Sequence, residues 1–461
     1  MAGAAGAAEP HWIRVASPNF EMYSSAGAGA AKDTLRQFEQ VRSFFFQVAG
    51  HAPAKAAPVR IVAFGTAKEY DAVRFNDFAA AFYQPTADRD FIVMGPGLAG
   101  AGATAIHEYV HLVVRHSELH LPPWLNEGIA ELYSTIRDVS GRVLVGALVP
   151  GRQAALRQER WIPLATIVAA DQNSPYYNEK NKAGSLYNEG WALTHMLALR
   201  ADYRPKFAEF LLAVTSGSNT AEAFRAVYGK SVMEVERDLL TYLRGDRFQG
   251  VLLPITIEKV TGKLEAEPLP AFDVRLTLAE IQNRPGREAE ARAKLQALIA
   301  EDAKRPEPHA ELAYLEWRSG RTKEALPEFE RAYSLGARGP RLLWDYGRLM
   351  EREPARAIPV LRALLEVEPG RMEVRLELAE VQLRTGLPLD AVATLAAVRS
   401  VTKSEAPRFF KDAAVAEWQA GHADAARTAA ENLKKNAAND VDRAEADRLL
   451  SMMDPRTGGG R

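Results

Sequence analysis

The sequence predicts an α+β domain followed by an all-α array of stacked helical hairpins. Three observations carry this. Short β-patterned segments occupy the first hundred residues and give way to helical patterning from about Ala103 to Arg244. A proline-punctuated stretch at 246–271, with Leu253-Pro254, Glu267-Pro268 and Leu269-Pro270, excludes a long helix there. From about 272 to 440, small residues recur with a period near 34. Composition agrees. The 461 residues are 47% hydrophobic and 25% charged, enough chain for about three domain-sized units with real cores. A formal charge of −1 offers no electrostatic case for nucleic acid or an anionic membrane. No run approaches the roughly 18 to 20 apolar residues that span a bilayer. Cysteine is absent, which removes disulfides, thiolate metal sites and thiol nucleophiles. Any metal must be held by His, Asp or Glu.

In chain order, residues 1–11 open with an Ala/Gly string expected to be a flexible tail, without the basic and Leu-rich regions of a signal peptide. The first domain is expected over 12–245. Ile13, Val15, Phe20 and Met22 alternate as half-buried strands around a Ser17-Pro18-Asn19 break. Leu35, Phe38, Val41, Phe44, Phe45 and Val48 fall three or four apart, the buried stripe of a helix. Val59–Phe64 and Asp90–Met94 read as short strands, the second ending in a Gly/Ala loop. Helices follow, broken at Pro122-Pro123, Gly141, Pro150 and the polar stretch 171–184. Residues 246–271 read as a connector.

The array runs from 272 to 440, with 441–461 as a helix end and a disordered tail. Ala279, Ala313, Gly347, Ala379 and Ala414 mark one repeat position, at steps of 34, 34, 32 and 35. In four units Gly follows seven residues on, at Gly286, Gly320, Gly386 and Gly421, and Ala five beyond that, at Ala291, Ala325, Ala391 and Ala426. Small residues are needed where paired helices touch closely. Pro354 replaces the Gly of the third unit, and Ala430 stands where the last unit should carry a large residue. The period and order resemble the tetratricopeptide repeat through five units. That resemblance implies a solenoid that binds a protein partner, the alternative being a brace for the first domain.

The chemistry lies in His107-Glu108-Tyr109-Val110-His111. On a helix, His107 and His111 project from one face and can grip one ion, with Glu108 a step round as general base. A catalytic zinc wants a third ligand and an open position. Pro123-Trp124-Leu125-Asn126-Glu127-Gly128-Ile129-Ala130-Glu131 starts a second helix after the proline turn, and Glu127 would face the histidines from it. His116 and His120 also have metal-like spacing, but they fall in the spacer where a polar loop is expected. Tyr176–Lys182, polar and aromatic, reads as a surface loop or a cleft wall.

H-E-Y-V-H followed by W-L-N-E-G-I-A-E resembles the gluzincin metallopeptidases, the group of thermolysin and aminopeptidase N. The 15-residue spacer, Leu112 to Asn126, is shorter than in the aminopeptidase N family and suits a peptidase MA-like relative. The resemblance implies a zincin-like fold over 12–245 and one Zn2+ per chain on His107, His111 and Glu127. It implies hydrolysis of a peptide or protein substrate by a zinc-activated water, with Glu108 as base. It also implies that Glu131 steadies the free ring nitrogen of His107, the alternative being a solvated carboxylate. Tyr187, ahead of Trp191-Ala192-Leu193, is the candidate oxyanion donor; otherwise it packs on Trp191. His195 reads as a core-edge histidine rather than a ligand. By the same resemblance, Asp90–Met94 is the edge strand that pairs with extended substrate; the family's usual habit, with the Ala-rich start, implies an exported protein, periplasmic or extracellular, the alternative being a cytoplasmic one. Two rivals remain from sequence. One is a non-catalytic scaffold using its repeats, and the other a zinc hydrolase of non-peptide amides or esters.

Overall fold

In the computed structural model, residues 11–454 are described apart from 50–58, 77–78, 87–88, 101, 118, 149–155, 157–160, 172, 175–179, 246–249, 258–261 and 351. The expectations for the tail 1–10 and the end 455–461, and most of the Tyr176–Lys182 stretch, fall outside the described residues. The chain divides into two compact units, Met1–Ile281 and Gln282–Arg461.

The first unit is built on a six-stranded sheet. Its strands are β1 (Ile13–Ala16), β2 (Phe20–Ser24), β3 (Val59–Ala63), β4 (Ala81–Pro85), β5 (Asp90–Met94) and, as the last partner of β1, β9 (Ala266–Pro268). The order is β4-β5-β3-β2-β1-β9, with β2, β3 and β5 parallel and the other pairs antiparallel. A smaller sheet joins β6 (Arg137–Val139), β7 (Arg142–Val145) and β8 (Val251–Leu253). Strand alternation sends Ile61, Ala63, Ile92 and Met94 to one face, under α1 (Ala28–Ala49) and α3 (Ala103–His116). Phe20, Phe38 and Tyr109 meet there ring to ring, centroids 5.4–5.5 Å apart. Val62, Phe91 and Val93 point to the opposite face, where Tyr70 of α2 (Ala67–Asp71) and Leu278 and Ile281 cover them. With both faces covered, the strands read as nearly continuous apolar runs.

After α3 come α4 (Pro123–Ser134), α5 (Leu164–Ala169), α6 (Lys180–Leu199), α7 (Phe207–Thr215) and α8 (Val232–Arg244), with short helical turns at Thr220–Ala223 and Phe224–Tyr228. α4 and α6 cross so closely that a Cβ on Gly128 would lie 2.5 Å from the Gly190 carbonyl oxygen. His195 of α6 is buried, as a core histidine should be. Its Nε2 donates to the Gly146 carbonyl (3.0 Å) and its Nδ1 accepts from the Tyr242 hydroxyl (2.8 Å).

Burial pushes the His195 pKa down to about 4, against a lesser upward pull from Gly146. The unfolded chain binds this proton below about pH 6.5 while the folded chain refuses it until about pH 4, so stability is full above the window and falls through it, by about 3 kcal/mol in all. Chemical denaturation across this range should show a shallower pH slope for His195→Gln than for wild type; equal slopes would remove His195 from the cause.

Two boundaries differ from the sequence reading. The stretch 246–271 is no free connector, because β8 and β9 in it complete the two sheets. Three-residue strands flanked by proline carry too little alternation to be seen in sequence. The helix after them, α9 (Ala271–Gln282), packs on the first unit's sheet, so that unit runs to Ile281. Arg60 on β3 ties it down by pairing with Glu21 (2.7 Å) and Glu280 (3.2 Å). Also, Val48, placed in the α1 stripe, is 56% exposed in the last turn of that helix.

Among the described residues, the regular elements of the second unit are all helices: α10 (Glu288–Glu301), α11 (Pro306–Arg318), α12 (Thr322–Ser334), α13 (Pro340–Leu349), α14 (Pro354–Val367), α15 (Met372–Arg384), α16 (Pro388–Ala396), α17 (Ala406–Gln419), α18 (Ala423–Lys435) and α19 (Asp440–Met452). The repeat glycines take φ of +74° to +86° in the turns within hairpins, which a side chain resists. The third unit turns instead with Pro354 at the first position of α14. Ala313, Ala325, Ala379, Ala391, Ala414 and Ala426 are fully buried. Residues 440–452, expected as the end of a helix, form a whole thirteen-residue one, capped by Asn439 and burying Ala446 and Leu449.

Candidate metal centre

α3 is preceded by Gly102 at its N-cap, whose φ of 72° suits glycine. Burial of Ile106, Tyr109 and Val110 against the sheet fixes the rotation of the helix. His107 and His111, one turn apart, then meet Glu127, delivered by α4 after the proline turn. The two Nε2 atoms stand 3.0 Å apart, and Glu127 Oε2 lies 3.3 Å from that of His107 and 3.4 Å from that of His111. Tetrahedral donors bonded to zinc at about 2.0–2.1 Å are separated by about 3.3 Å. The three residues therefore fit a zinc ion. Glu127 is 2% exposed, and its Oε2 is buried with no hydrogen bond of good geometry, a polar atom that a cation would satisfy. Among the described residues no other trio of His, Asp or Glu converges in this way.

The electrostatics favour positive charge. For His107, burial opposes the charged form, but contact with Glu127 and the charges of Glu131 and Glu108 outweigh it and push the pKa up to about 9. His111 is raised against the same burial, chiefly by Glu127. Burial would raise Glu127, yet the two histidines hold it down at about 2. Glu108 moves the other way. Burial raises it, only partly opposed by His107 and His111.

Glu131, Asn126 and Tyr187 border this triangle. Glu131 Oε1 stands 3.4 Å from His107 Nδ1, the expected site. Asn126 Oδ1 stands 3.3 Å from His111 Nδ1 and orients that ring in the same manner. Sequence reasoning missed Asn126, although it adjoins Glu127. Tyr187 lies beside the ligands, its ring centroid 6.3 Å from that of His107, while its i+4 neighbour Trp191 is fully buried. His116 is taken up elsewhere, by Asp90 Oδ2 at 2.6 Å.

The edge strand is corrected. β5, holding Asp90–Met94, pairs on both sides, with β3 and β4. Among the described residues the edge strands of the six-stranded sheet are β9 and, beside the candidate site, β4, which the sequence reading did not identify. Its Tyr83 N–H turns away from β5 and donates to Glu108 Oε2 at 2.9 Å. The strand at the open edge thus holds the candidate base directly.

Residues 348–410 match the tetratricopeptide repeat family model. With the hairpins described above, the second unit is a helical, tetratricopeptide-like solenoid. No curated protein matches the chain. Among solved structures, the chain is similar to YrrB, a tetratricopeptide protein with an unusual peptide-binding site, at 17% identity and a TM-score of 0.33 over 39% of this chain and 98% of that one. MamA from Desulfovibrio magneticus RS-1 is similar at 15% identity and a TM-score of 0.28, over 38% and 96%. Among the described residues, no helix is long and apolar enough to cross a membrane.

Proposed function

We propose that the first unit is a zinc-dependent, gluzincin-type peptidase with a zincin-like fold, and that the repeat array binds a protein substrate or partner. The catalytic half rests on one observation: His107, His111 and Glu127 converge at zinc-compatible separations with Glu108 beside them. The binding half rests on the repeat match.

His107, His111 and Glu127 would hold the ion. Bound there, zinc supplies Lewis acidity, making a water more acidic and polarising a carbonyl. Glu108 takes the proton of the attacking water and returns it to the leaving amine. Its Oε2 is anchored on the Tyr83 N–H, which leaves Oε1 to carry that proton. A carboxyl raised by burial suits both receiving and returning it. Tyr187 donates to the oxyanion, and the outward main chain of Ala81 together with the Tyr83 carbonyl on β4 pairs with extended substrate.

A second reading has an observation of its own. The family match lies wholly in the repeats, at residues 348–410, which favours a binding scaffold whose first unit does no chemistry. Metal analysis begins to separate the two. Purified protein should carry about one zinc per chain, and His111→Ala about a tenth of that or less. Failure to load zinc into the wild-type chain would end the peptidase reading and leave the scaffold.

A further inference from the structure

The carboxylates Glu311, Asp345, Glu377 and Asp412 each stand two residues before the small repeat residue, at 313, 347, 379 and 414. Two of them meet at the junction of α15 and α17. There Arg408 is shared: its Nε reaches Glu380 Oε1 (3.1 Å) and its Nη2 reaches Glu377 Oε2 (3.3 Å). Asp412 gains little from it, with Oδ2 4.0 Å from Arg408 Nε and Oδ1 3.8 Å from Lys411 Nζ. Three carboxylates thus face two cations. Asp412 is only 2% exposed, and its Oδ2 makes no hydrogen bond, an arrangement that a further cation would relieve. Glu377 and Glu380 keep 25% and 32% of their side-chain surface open, within reach of a guest.

We propose that the face shared by α15 and α17 docks a basic, Lys- or Arg-rich segment of a protein partner. This rests on the reading of the array as a protein-binding scaffold and is independent of zinc. A guest ammonium or guanidinium takes Glu377 and Glu380, and Arg408 is freed to turn onto Asp412. Glu377 and Glu380 then share the guest cation, Asp412 has Arg408, and the buried oxygen gains a charge-assisted hydrogen bond. A basic segment suits this junction because a carboxylate guest would compete with three resident carboxylates for two cations.

The test is fluorescence anisotropy of a labelled lysine–glycine repeat peptide titrated with the full chain, with a glutamate–glycine repeat as control. The lysine peptide should bind saturably and weaken with salt. Glu377→Gln/Glu380→Gln should weaken it about tenfold, and Asp412→Asn should weaken it as well. Glu373→Gln, on the same helix but 56% exposed beside Arg371, should leave it unchanged. Unaltered affinity in the double variant, or no binding of the lysine peptide, overturns the proposal. Binding of the glutamate peptide instead overturns it too, while leaving the scaffold reading in place.

Discussion

Glu108→Gln should retain its zinc and lose peptide hydrolysis by about 10²- to 10⁴-fold, the range associated with removing a general base. The substitution keeps shape and volume. Its amide oxygen can still accept the Tyr83 N–H that now binds Oε2, so the helix and strand should not move. The other terminal atom becomes an NH2 group, which donates where the carboxylate accepted and cannot take a proton from water. The three ligands are untouched, so metal content and folding serve as internal controls. The measurement is mass-spectrometric cleavage of an unstructured protein by both chains at matched zinc content. Equal cleavage would show that Glu108 is not the base or that the activity is a contaminant. If wild type with full zinc cuts neither peptides nor simple amides and esters, the scaffold reading stands alone.

The parts of this site that could be read from sequence are those made by short-range geometry. His107, Glu108 and His111 lie within one helical turn, where spacing alone determines which face they share. Glu127 and Glu131 follow the same rule on the next helix, once the proline turn brings it back. The repeats were legible for a related reason: a periodic small residue has few uses besides close helix contact, and the buried alanines fill that role. What could not be read depends on long-range pairing. The bond from Tyr83 to Glu108 comes from a backbone N–H, which no residue type announces. Its existence depends on β4 lying outside β5, a strand order that alternation does not encode. The strands in 246–271 were hidden because their prolines look like breakers when the partner strands are unknown. Asn126 is an intermediate case. Its position beside Glu127 was visible, but its service to His111 required knowing that the two helices return on each other.

The same dependence on helix return makes Gly128 the tightest of the described glycines in the first unit. Gly128→Ala would place a Cβ 2.0 Å from Thr194 Oγ1 and 2.5 Å from the Gly190 carbonyl oxygen. Thr194 is fully buried and a carbonyl cannot rotate away, so α4 and α6 must separate. Gly190 admits no relief from its own side, since a Cβ there would meet the Trp124 carbonyl oxygen at 2.7 Å. Overpacking of this kind costs about 3 kcal/mol. The displacement also reaches the candidate metal centre, because Glu127 precedes Gly128 and Tyr187 lies on the helix being pushed away. Zinc affinity should therefore fall about tenfold or more, as when supporting residues of a metal site are disturbed. Gly29 provides the contrast. It sits in α1 with nothing within 4 Å of its would-be Cβ, so Gly29→Ala should be neutral or stabilise by up to about 1 kcal/mol. Chemical denaturation and competition against a zinc chelator measure both effects. A Gly128→Ala chain as stable as wild type, with zinc held as tightly, would mean that the α4–α6 crossing does not set the position of Glu127.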